Sequence, residues 1–198
     1  MIAKTSFINI IAIKIYFKIL FMHQKKIIAL IGLMGAGKTS IGSKLANQLK
    51  YYFIDSDHEI EDCEHRTIAD IFAQSGEKYF REIEAKTIEN ILNRDEFIVL
   101  SLGGGAFLDK NTRKLLEEKA ITIWLFASIE ETLRRVSLKS NRPLLEKKNK
   151  RQTLEELAKI RYPIYEQSDF KFDTTNLTFE QIVKNILTKI NVKNYENN

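Results

Sequence analysis

A chain of 198 residues suits one domain, long enough to bury about 70% of its extended surface without disulfide or metal staples. Its 44% hydrophobic and 29% charged residues exclude a disordered or fully membrane-embedded chain. The single cysteine, Cys63, excludes an internal disulfide and a cysteine-based zinc site and points to a reducing compartment, expected to be the cytoplasm. The net charge of +5 is unevenly spread. Residues 1–26 hold Lys4, Lys14, Lys18, Lys25 and Lys26 and no acid, and removing those five leaves 26 basic against 26 acidic residues. The body is electrically balanced, so no nucleic-acid partner is expected.

Residues 7–22, FINIIAIKIYFKILFM, are apolar but interrupted by Lys14 and Lys18. The charge-free run Phe7 to Ile13 is far short of the ~20 apolar residues that span a bilayer, and no small-residue cleavage site follows it. Residues 1–24 are therefore expected to lie outside the core as an extension, with Met22 as the natural start. A loosely packed arm, or a helix lying on anionic lipid, remain as alternatives.

From Lys25 onward strand-like and helix-like stretches alternate. KKIIALIG predicts a first strand, followed by a glycine-rich turn and a helix to about Leu49. YYFID predicts a second strand, and a long helical region follows from about His58 to Leu92. A break is expected in it near Ser75-Gly76, and Thr67 with Asp70 is a plausible helix-capping pair. FIVLSL predicts a third strand ending in Gly103-Gly104-Gly105. A helix over 110–119, the strand ITIWLFA and a helix over 128–138 come next. Residues 139–151, polar, basic and aperiodic, read as a mobile loop. A helix from Thr153 to about Glu166, the strand FKFDT and a helix from Thr178 to Ile190 complete the body, leaving a polar tail over 191–198. Continuous apolar strands separated by helices imply a parallel sheet in a three-layer α/β/α domain over 25–190.

The first strand runs into Gly32-Leu33-Met34-Gly35-Ala36-Gly37-Lys38-Thr39, which satisfies G-x-x-x-x-G-K-[ST]. The glycines let backbone N–H groups close on a phosphate, and the following helix points its positive end at the same place. Lys38 suits β- and γ-phosphate oxygens, and the Thr39 hydroxyl suits Mg²⁺. The pattern predicts a bound nucleoside triphosphate, with Gly35, Ala36, Gly37, Lys38, Thr39 and Ser40 around it.

Further residues suggest an acceptor. Asp55-Ser56-Asp57 closes the second strand, at the carboxyl edge where α/β sheets place ligands. One carboxylate can face Mg²⁺ and the other an acceptor hydroxyl. Arg81 and Glu84, three apart on a helix, share a face, so Glu84 can hold the guanidinium fork ready for a small carboxylate. Gly103-Gly104-Gly105 would let a ligand touch the backbone. Each of these features has a bland reading when taken alone, and Arg161 by itself says little.

Taken in order, GLMGAGKTSIG, FIDSDHEIE, the Ile71–Glu84 run with its F-R-x-x-E, LSLGGGAF, SNRPLL and RYPIYEQSDF resemble shikimate kinase, a family of P-loop kinases, from about Lys25 to Ile190. The resemblance implies a five-stranded parallel sheet of order 2-3-1-4-5 with a mobile lid. It also implies phosphorylation of the shikimate 3-hydroxyl by ATP with Mg²⁺, in the route to chorismate. Asp57, Arg81, Gly103, Gly104, Gly105 and Arg161 then correspond to the shikimate contacts. Phe72 and Phe80 would form apolar walls, with Glu84 buttressing Arg81. Asp55 would join Thr39 at the metal, Arg142 would be the lid arginine acting with Lys38 and Asp57 in catalysis, and Arg135 would stack on adenine. Thr39-Ser40 stands where the family's commoner order is Ser-Thr, a conservative exchange. A monomer is expected. Another small-molecule kinase of this branch, or a nucleotide-binding module without catalysis, are the alternatives.

Overall fold

A computed structural model describes residues 25–137 and 150–190. The expected N-terminal extension, most of the expected lid with Arg142, and the C-terminal tail lie outside the described residues. In chain order the elements are β1 (Ile27–Ile31), α1 (Lys38–Leu49), β2 (Tyr52–Asp55), α2 (Ser56–Glu64), α3 (Ile68–Leu92), β3 (Ile98–Ser101), α4 (Lys110–Lys119), β4 (Ala120–Phe126), α5 (Ile129–Ser137), α6 (Lys150–Tyr165), β5 (Phe170–Asp173) and α7 (Phe179–Ile190). The strands form one sheet in the order β2-β3-β1-β4-β5, with every pairing parallel. The topology expected from the resemblance is therefore the one observed.

The sheet is central because its middle strands are apolar on both faces. Side chains alternate along a strand, so Ile27, Ala29 and Ile31 of β1 join one core cluster with Ile88, Leu116 and Trp124. Ile28 and Leu30 join the opposite cluster, with Ile41 and Leu45 of α1 and Ile182 and Ile186 of α7. A smaller cluster of Ile60, Ile71 and Phe80 ties α2 to α3.

Local chemistry sets the helix ends. The Asp55 side chain accepts from the Asp57 N–H and starts α2, while the Thr67 hydroxyl accepts from the Asp70 N–H and starts α3, as its sequence predicts. α3 is interrupted at Gly76, whose φ of 80° and ψ of 172° are accessible almost only to glycine. One boundary differs from expectation. Lys150 and Arg151 are the first residues of α6 and not the end of a loop. Arg151 reaches Glu130 at 3.1 Å and Glu155 at 3.3 Å, and these ion pairs favour helix where the sequence offers no apolar period.

Candidate active site

The site lies at the carboxyl ends of β1, β2 and β3. Pairing sets Leu30 of β1 and Asp55 of β2 both level with Ser101 of β3. The phosphate loop, the D-S-D turn and the three glycines therefore leave the sheet side by side.

The phosphate loop wraps as its sequence requires. Gly35 (φ 82°) and Gly37 (φ 94°) take left-handed conformations, and α1 begins at Lys38 with its free N–H groups facing the loop. Lys38 Nζ donates to the carbonyls of Gly32 at 2.9 Å and Leu33 at 3.2 Å. Beside the loop is a cavity of about 560 Å³, bordered by Gly35, Gly37, Lys38, Thr39 and Ser40 on one side and by α5 and the start of α7 on the other. Ala36 is buried beneath it.

Arg135 borders this cavity but is more tightly held than an adenine-stacking role alone requires. Its Nε donates to Glu131 at 2.6 Å, and its remaining nitrogens reach the Ala36 carbonyl at 3.3 Å and both oxygens of Thr174 at 3.1 and 2.8 Å. Glu131 also receives both arms of Arg134 at 2.8 Å. The Arg134 hydrogen bonds, followed by those of Arg135, hold the Glu131 carboxyl down at about 2 despite the opposing effect of burial. Glu131, Thr174, Leu177 and Phe179 escaped the sequence reading. Only Glu131, placed three and four residues before two arginines, left a legible signal.

Thr39 Oγ1 donates to Asp55 Oδ2 at 2.9 Å. This pair offers two hard oxygens at the mouth of the phosphate loop, which fits a magnesium ion that keeps most of its shell as water and phosphate oxygen.

The second group surrounds the three glycines, each of which faces a different partner. A methyl on Gly103 would stand 2.5 Å from Asp57 Oδ1 and 2.9 Å from Glu84 Oε1. On Gly104 it would stand 2.8 Å from Arg161 Nη1, and on Gly105 it would stand 2.5 Å from Arg81 Nη1. The sequence suggested that these glycines admit a ligand to the backbone. The observed reason for their bareness is that four charged side chains of the protein itself lie against them. Gly104 also links the two groups, since the same methyl would be 3.5 Å from the Gly32 carbonyl that receives Lys38.

Arg81 Nη1 donates to Glu84 Oε2 at 2.7 Å, as the spacing predicts, and Nη2 donates more weakly to Glu77 at 3.3 Å. Glu84 is buried while Arg81 is partly exposed, with side-chain exposures of 4% and 38%. Burial pushes the Glu84 carboxyl up against the pull of Arg81, and nearby Asp57 adds to the rise. Burial alone would lower Arg81, but Glu84 and then Glu77 carry it above the usual arginine range. The Arg81 guanidinium lies 5.1 Å from the Phe80 ring centre, and Phe80 meets Phe72 at 4.6 Å. Phe80 is buried and Phe72 partly exposed, so Phe72 presents the outer apolar surface. The residues expected at the site thus form two adjoining groups, with Arg142 alone outside the described residues.

Residues 34–191 match the shikimate kinase family. The chain belongs to that family. It is an enzyme, a kinase. It is 44% identical to a shikimate kinase of Cereibacter sphaeroides over 158 residues, 80% of this chain and 79% of that one. It is likewise 44% identical to that of Caulobacter vibrioides over 84% of this chain and 83% of the relative. Among solved structures it resembles the shikimate kinase of Acinetobacter baumannii in complex with shikimate, with a TM-score of 0.80 and 37% identity over 84% of this chain and 93% of that one. A gluconokinase of Sinorhizobium meliloti, 19% identical with a TM-score of 0.53 over 83% of this chain and 90% of that one, shares the fold alone.

Proposed function

We propose that this kinase transfers the γ-phosphoryl group of ATP to the 3-hydroxyl of shikimate, releasing ADP and shikimate 3-phosphate. The observation that carries this reading is the nearness of Gly104 to Gly32, whose carbonyl would stand 3.5 Å from a methyl on Gly104. It sets a cluster of two carboxylates and two arginines directly beside the phosphate-loop lysine. The cluster suits a small acid bearing hydroxyl groups, because two arginines can pair with one carboxylate while Asp57 accepts from a hydroxyl.

In this reading Arg81 and Arg161 bind the shikimate carboxylate, and Glu84 holds Arg81 in its orientation. Asp57 orients the 3-hydroxyl, with Phe80 and Phe72 forming the apolar side of the ring's pocket. The hydroxyl oxygen bonds to the γ-phosphorus as the bond from that phosphorus to the β-phosphate bridging oxygen breaks. The hydroxyl proton passes to Asp57 or to the transferred phosphate. Lys38 leaves its resting carbonyls for the phosphate oxygens and neutralises charge that builds during transfer. Arg135 lines the nucleotide cavity and meets the adenine, and Arg142 closes on the transferring group. Thr39 and Asp55 would hold Mg²⁺, which when bound supplies charge neutralisation at the β- and γ-phosphates. ATP as donor and an exposed free thiol at Cys63 fit a reducing cytoplasm.

The test is ADP release from Mg·ATP with and without shikimate, comparing the full chain with one beginning at Met22. Shikimate-dependent release in both supports the reading and makes residues 1–21 dispensable. Nucleotide binding without stimulation by shikimate in either form overturns it.

A further inference from the structure

A loop of three glycines has no side chains to anchor it, so its position depends on what holds its backbone. Two buried hydroxyls do so. Ser56, between Asp55 and Asp57 and fully buried, accepts a 2.9 Å hydrogen bond from the Gly103 N–H. Tyr165, the last residue of α6 and also buried, donates its hydroxyl to the Gly104 carbonyl. Burial pushes the Tyr165 phenol up to about 12, so it keeps its proton at any working pH. Arg161, four residues earlier on α6, lies near enough to the phenol to pull against that rise.

We propose that Ser56 and Tyr165 are positioning residues that clamp the three-glycine loop and thereby set where Asp57, Arg81 and Arg161 meet the acceptor. The inference rests on the shikimate reading for the acceptor's identity. The mechanism is steric. The Asp57 carboxylate and the two guanidinium groups occupy the space that a side chain on Gly103, Gly104 or Gly105 would need, so a shift of the loop alters the room of all three together. Each hydroxyl also belongs to a residue beside one of them. Ser56 is the chain neighbour of Asp57 and binds Gly103, and Tyr165 stands one helical turn from Arg161 and binds Gly104. Neither residue borders the nucleotide cavity, so the effect is selective for the acceptor.

The experiment uses the full chain as Tyr165→Phe, as Ser56→Ala and as the double variant. Shikimate and ADP dissociation constants are measured calorimetrically on the same samples, alongside KM for shikimate and for ATP. Each single variant is expected to weaken shikimate binding and raise its KM roughly tenfold, a loss of about 1.4 kcal/mol. ADP affinity and ATP KM should stay within twofold. The double variant should lose less than the product of the two, because both hydroxyls hold one loop. Shikimate affinity within twofold of wild type in both single variants overturns the proposal. So does an equal loss of shikimate and ADP affinity, the sign of general loosening. If Ser56→Ala fails to bind ADP, Tyr165→Phe decides, since it keeps the ring and its packing against Trp124. Wild-type protein that hydrolyses or binds nucleotide but ignores shikimate overturns the acceptor assignment itself, and the clamp's role with it.

Discussion

The Arg81 guanidinium rests on the α-carbon of Gly105, so closely that a methyl there would stand 2.5 Å from Nη1 and 2.9 Å from Nη2. The close fit fixes Arg81 from one side while Glu84 fixes it from another. Gly105→Ala must therefore swing the guanidinium away from Glu84. The expected result is a rise of at least tenfold in shikimate KM with ATP KM little changed, read from steady-state kinetics with each substrate varied in turn. An unchanged shikimate KM would show that Arg81 does not bind the acceptor.

Glu84 carries a buried charge whose pKa is raised by burial. A carboxyl with a raised folded pKa gives a stability contribution that is present below the usual value of 4.5 and is lost as pH rises through the folded value. Glu84→Gln removes that dependence. The difference in melting temperature, variant minus wild type, should therefore grow more positive as pH is raised from 4.5 towards neutrality. Shikimate affinity should move the other way, falling in the variant at neutral pH because a neutral amide holds Arg81 less firmly. Thermal unfolding across that pH range, with calorimetry at pH 7, measures both.

Glu131 has the opposite sign. Its pKa is lowered to about 2 by Arg134 first and Arg135 next, so its stabilising contribution is present above 4.5 and disappears as pH falls towards 2. Glu131→Gln should cost about 1 to 2 kcal/mol at pH 7 by denaturant unfolding, since hydrogen bonds to charged groups are being weakened. The gap should close on acidification. With Arg135 less constrained, ADP affinity should fall severalfold while shikimate affinity holds.

Lys38 donates to the carbonyls of Gly32 and Leu33, bonds that it can exchange for phosphate oxygens. Lys38→Ala should lower kcat by roughly 10² or more, with a far smaller change in shikimate binding. Turnover near wild type would remove Lys38 from the transfer step.

The parts of this molecule that were legible in the sequence are those governed by local rules. KKIIALIG and ITIWLFA are continuous apolar runs because their strands are covered on both faces, and G-x-x-x-x-G-K-T requires its own backbone shape. The Thr67 cap follows from spacing, and spacing puts Arg81 and Glu84 on one face, although it leaves their burial open. What escaped depends on contacts between distant segments. Ser56 and Gly103 are 47 residues apart, Tyr165 and Gly104 are 61 apart, and a lone hydroxyl has no periodicity to betray it. The start of α6 was hidden because Lys150 and Arg151 are held by ion pairs and not by an apolar face. The glycines were recognised, but their purpose was visible only once the opposing side chains had been located.

The break at Gly76 also decides a distance. Residues 72 and 80 are eight apart, which on an uninterrupted α-helix separates them by about 12 Å along the axis and turns them about 80° from one another. Yet the Phe72 and Phe80 rings meet at 4.6 Å. They touch because the chain leaves helical geometry between them, at a position with open space where a side chain would stand. Gly76 thus works as a ruler. The apolar wall beside Arg81 is assembled by a fold in the backbone, and straightening that fold would separate its two rings without altering either.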